Sequence, residues 1–82
     1  MNIQFVGIDP DTDDDGCPTV WVDTDASDLL IQSYIADADS TAAADALSPA
    51  RAPIPPGEII IRIPKRMISI IRKACDDLDG LQ

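Results

Sequence analysis

The chain has 82 residues, 45% of them hydrophobic, with a formal net charge of −9; this allows one domain (1–82) with a small core, too apolar for an intrinsically disordered chain and too acidic for general affinity to nucleic acid. It has no histidine, and its two cysteines, Cys17 and Cys75, belong to no C-x-x-C pair, which leaves out a structural zinc site, the common nucleophile dyads and a disulfide framework. Its aliphatic runs at 29–31 and 59–61 fall far short of the roughly 20 residues of a membrane span, and residues 1–8 lack the pattern of a signal peptide, so the chain is expected in the cytoplasm with reduced thiols.

Residues 3–8 alternate weakly and predict a first strand, which runs into an acidic loop over 9–16. Residues 18–23 predict a second strand, with Val20 and Val22 on one face and Thr19, Trp21 and Asp23 on the other. A polar turn over 23–28 and a third strand over 29–36 complete an expected hairpin. Trp21 and Tyr34 are expected on the same face of adjacent strands, as cross-strand packing or as anchors for a partner. Asp39 or Ser40 is placed to cap a short helix through Leu47, stopped by Pro49. Pro49, Pro53, Pro55 and Pro56 make 48–57 an extended connector.

Residues 58–63 predict a fourth strand, with Ile59, Ile61 and Ile63 on one face, dense enough in isoleucine for an interior position. Pro64 then opens an amphipathic helix. At about 100° per residue, Ile70, Ala74, Met67, Leu78, Ile71, Cys75 and Ile68 follow one another in a single arc, and Gly80 ends the helix. The expected fold class is α+β: a small antiparallel sheet of about four strands in the order β-β-β-(α)-β-α, with the C-terminal amphipathic helix packed on one face.

Charge is distributed unevenly along this frame. Residues 1–57 carry a net −10, all from aspartates against Arg51; residues 58–75 carry +4; residues 76–82 carry −3. Lys65 and Arg66 open the last helix while Asp76 and Asp77 close it. This order opposes the helix macrodipole, where each favourable terminal charge is worth about 0.3–1 kcal/mol. Either tertiary packing determines the helix and the reversed charges are tolerated, or the basic end meets an acidic surface, on a partner or on the chain's own 9–15 loop.

Asp11, Asp13 and Asp15, followed by Gly16, match the opening of a calcium loop, where carboxylates on alternate residues converge on one hard cation. The match then weakens, because Val22 stands where the bidentate glutamate belongs. Calcium is thus the one cofactor the sequence suggests, and a plain acidic turn is the competing reading. No general base, phosphate-binding loop or activated cysteine is present, so no enzyme and no catalytic residue is expected.

Several segments together carry a resemblance: Gly7-Ile8-Asp9-Pro10, Cys17-Pro18-Thr19-Val20-Trp21, Leu30-Ile31-Gln32-Ser33-Tyr34, Ile54-Pro55, Ile60-Ile61-Arg62-Ile63-Pro64 and Arg66-Met67. In these the chain resembles a group of small acidic actinobacterial proteins, typically encoded beside Xre-type helix-turn-helix regulators. The resemblance implies an accessory or antagonist of a DNA-binding regulator, in the manner of an antitoxin or anti-repressor. Charge and resemblance together predict a protein-interaction module with no direct nucleic-acid or membrane contact. Its partner would be met through Asp11, Asp13, Asp14, Asp15, Trp21, Lys65, Arg66 and Arg72. The alternatives are a calcium module and a self-associating, homo-oligomeric subunit.

Overall fold

In a computed structural model, the chain is described over residues 1–11, 18–50 and 52–80. Three strands, β1 (Ile3–Ile8), β2 (Thr19–Asp23) and β3 (Asp28–Gln32), form an antiparallel sheet in the order β1-β2-β3. Two shorter strands, β4 (Tyr34–Ile35) and β5 (Ile61–Arg62), pair antiparallel as a separate ribbon. Helix α1 spans Ala38–Ala46. A 3₁₀ turn over Lys65–Met67 leads into helix α2, Ile68–Asp79. The fold is α+β, with the C-terminal helix packed on the three-stranded sheet.

The alternation of β2 sets the core. Val20 and Val22 point to the helix side and are buried, while Trp21 points to the other side. Met67 and Ala74 close over the two valines, and Val6, Leu29, Ile31, Ile63, Ile70, Ile71 and Leu78 pack around them. Burying each larger side chain contributes about 1.5–3 kcal/mol. Gly7 lets the helix approach the sheet: a Cβ there would lie 2.7 Å from Cγ2 of Ile70. β1 accommodates this with an irregularity between Phe5 and Gly7, which leaves Val6 without an opposite residue. At the end of the β1–β2 ladder Pro18 accepts the Asp9 N–H at 2.9 Å. It has no N–H to return, so the ladder stops.

Three expectations change. The strand expected over 29–36 breaks at Ser33, whose hydroxyl donates to the Arg62 carbonyl at 2.6 Å. Beyond it, Tyr34 and Ile35 pair with Arg62 and Ile61, forming the ribbon in place of a longer hairpin. The strand expected over 58–63 shrinks to two residues and is not interior, because β4 offers only two partners and Ile59 is largely exposed. A turn leads into it: Glu58 N–H donates to the Pro55 carbonyl at 3.1 Å, with Gly57 at φ 96°. Pro56 before a left-handed glycine is the type II preference. Finally, Asp37, rather than Asp39 or Ser40, caps α1, its carboxylate accepting the Ser40 N–H at 2.7 Å. α1 buries no residue and is tethered where Arg62 donates to the Ser40 hydroxyl at 2.5 Å.

Pro64 is extended (φ −62°, ψ 148°) and stands just before the first helical turn, which its carbonyl closes by accepting the Met67 N–H at 2.9 Å. Among the described residues, no helix is long and apolar enough to cross a membrane.

Candidate interaction surface

The sheet has a helix-covered face and an open one. On the open face, Phe5, Trp21 and Leu30 lie side by side across the three strands. Ile3, Asp23 and Asp28 form the next row toward the 24–27 turn, and Ile8, Thr19 and Gln32 the row on the other side, with Thr19 itself buried. Phe5 is 62% exposed, Ile8 49%, Ile3 45% and Leu30 37%. Trp21 is half-buried at the centre of this patch. Half of a typical monomer's surface is apolar, but a contiguous patch with aromatic residues at its centre marks a docking site.

Carboxylates border the patch. Asp28 is exposed at the turn end. Asp23 turns back to accept the Asp25 and Ala26 N–H groups at 3.1 and 3.3 Å. The hydrogen bond from Ala26 is the main cause holding its carboxyl below the ordinary value of 3.8. The ionised form is therefore favoured at this rim.

Asp9 lies at the opposite end of β1. Its side chain is fully buried and takes Arg66 by both oxygens, with Nε at 2.7 and 2.8 Å and Nη2 at 2.7 Å. Its Oδ1 also accepts the Asp11 N–H at 2.9 Å. This pairing, chiefly the hydrogen bond to Asp9, raises the Arg66 guanidinium above its already high value. The basic start of the last helix thus meets an acid of its own chain, one of the options its charge order posed. Asp9 opens the 9–15 loop that the sequence offers as an internal acceptor; that this aspartate takes Arg66, 57 residues away, had no local signal.

The remaining candidates disperse. Asp11 is exposed, its carboxylate 4.0 Å from Arg66. Asp13, Asp14 and Asp15, and with them most of the suggested calcium loop, lie outside the described residues. Among the described residues, no three carboxylates or thiols converge as metal ligands would. Lys65 is exposed on the 3₁₀ turn. Arg72 lines a shallow concavity on α2 with Ile68, Ile71, Cys75 and Asp76. Trp21 and Tyr34 do not share adjacent strands: Trp21 sits between Phe5 and Leu30, and Tyr34 belongs to the ribbon. The weak alternation of residues 3–8 did not single out Phe5; the register sets it beside Trp21.

A second concavity of about 300 Å³ opens between the end of α1 and the proline-rich connector. Ala44, Pro53, Ile54, Ile59 and Ile60 dominate its walls, with Asp45 and Glu58 as its charges.

No family model, curated protein or solved structure matches this chain.

Proposed function

We propose that this chain is a non-enzymatic protein-interaction module that docks a basic protein surface on the open face of its sheet. The observation that supports this reading most is the row Phe5–Trp21–Leu30, exposed on β1 and β3 and bordered by Asp23 and Asp28. Apolar anchors within an ionised rim supply affinity at the centre and steering at the edge. The net charge of −9 selects partners of opposite sign.

The resemblance to proteins encoded beside Xre-type regulators narrows the partner to a helix-turn-helix regulator. The DNA-contacting surface of such a protein is basic, and an acidic cover over it makes this chain an accessory or antagonist of transcriptional regulation, acting in the cytoplasm.

The test is capture from native cell extract with the wild type and a Phe5→Asp/Trp21→Ala variant, each at low and high salt. A DNA-binding regulator retained by the wild type at low salt, and lost with salt or with the variant, supports the reading. Recovery of no regulator, or of one held equally by the variant, overturns it.

A further inference from the structure

Helix α2 carries more apolar surface than the sheet covers. Met67 and Ala74 are buried beneath it and Ile70 packs on Gly7, whereas Ile68 and Cys75, at the far edge of the same arc, are exposed. With Ile71, Arg72 and Asp76 they line one continuous concavity of about 240 Å³. Arg72 and Asp76 stand four residues apart, a spacing at which helix side chains join in an ion pair. Lys73 and Asp77, one position on, do so at 3.1 Å. Among the described residues no ion pair joins Arg72 to Asp76, and both are exposed. An apolar seam is thus flanked by one uncommitted charge of each sign.

We propose that this seam packs on the same seam of a second copy, with the two α2 helices antiparallel. The order of charge selects this occupant. From the 3₁₀ turn onward the bases come first and the acids last; Arg66 is taken by Asp9 and Lys73 by Asp77, which leaves Lys65 and Arg72 to meet Asp76 and Asp79 of a second copy. That order opposes the helix's own macrodipole, and an antiparallel copy sets the bases of each helix against the acids of the other. With Ile71 opposite Cys75 of the second copy, Arg72 reaches Asp76 of that copy, and the two-fold axis repeats the pair.

Because α2 covers the opposite side of the sheet from Phe5, Trp21 and Leu30, this dimer leaves the proposed docking face open and goes beyond the proposed function.

Sedimentation equilibrium of the full chain between about 1 and 500 µM tests the proposal. The expected result is a monomer–dimer equilibrium that Arg72→Asp and Asp76→Arg each weaken by more than about tenfold, through facing like charges. The double exchange, Arg72→Asp with Asp76→Arg, restores it. Circular dichroism of each variant confirms that these exposed substitutions leave the fold intact. A chain monomeric throughout, or a dimer indifferent to both reversals, overturns the proposal. So does a dimer lost only with Phe5→Ser, which would place self-association on the sheet face.

Discussion

Arg66 grips Asp9 by both carboxylate oxygens, at 2.7 and 2.8 Å, and ties the start of the last helix to the end of the first strand. Asp9 gives this carboxylate no exposed surface, while Arg66 remains two-fifths exposed. A buried charge depends on such a pair, and removing one member is far costlier than either charge is worth in water. The pair holds the sheet's first strand against the helix, and with it both the open face and the α2 seam.

Arg66→Ala is accordingly expected to lower the melting temperature by on the order of 10 °C, and Arg66→Glu by more. Asp9→Ala with Arg66→Ala should recover much of the loss, because no charge then stays behind. Thermal denaturation followed by circular dichroism checks this. A rise in stability with Arg66→Glu would remove the pair from the account.

Gly7 is required by its neighbour. A Cβ at 2.7 Å from Ile70 Cγ2 and 3.2 Å from Cγ1 and Cδ1 forces the helix or the strand to move. Gly7→Ala should cost about 1–3 kcal/mol by overpacking. Combined with Ile70→Ala, it should cost clearly less than the two single changes added together, because the clash goes with the isoleucine. Urea denaturation of the four proteins measures the coupling.

Met67 is fully buried in a core whose other buried hydrophobic residues, among the described residues, are Val20, Val22 and Ala74. Met67→Ala is expected to cost about 2–5 kcal/mol. In a domain this small that approaches the whole stability, so the variant should be largely unfolded at room temperature in near-ultraviolet circular dichroism. Met67→Leu should remain folded.

Part of the dependence on acid follows from Asp23 and Asp37. Both carboxyls lie below the ordinary value of 3.8 in the folded chain, Asp23 chiefly through the Ala26 N–H and Asp37 chiefly through the Ser40 N–H. A depressed folded-state value means the ionised form favours the fold. Their contribution is complete above pH 3.8 and is lost as the pH falls through the lower folded-state values. The melting temperature should therefore fall below about pH 4, and less steeply in Asp23→Asn/Asp37→Asn. Scans between about pH 2 and 6 measure the difference between the two slopes.

Local pattern carried a large part of this fold. The period of two in β2 separated Val20 and Val22 from Trp21, and the helical period of 67–78 brought Met67, Ile70 and Ala74 onto one side, as the structure has them; which face of β2 is buried came only with the helix. Each needs only a few neighbouring residues, and burial rewards both periods directly. The reversed charge order of the last helix was equally legible, but not whether it is tolerated or answered by an acid. Tertiary structure alone decided which acid answers, through a pairing across 57 residues. It also decided that Tyr34 and Ile35 leave the hairpin for Ile61 and Arg62, and that the sheet covers Met67 and Ala74 but leaves Ile68 and Cys75 at the surface. These outcomes depend on which distant segments meet and how closely they approach. The sheet is only three strands wide and meets the helix at Gly7, so the apolar arc is covered where that approach is tight and left open beyond it.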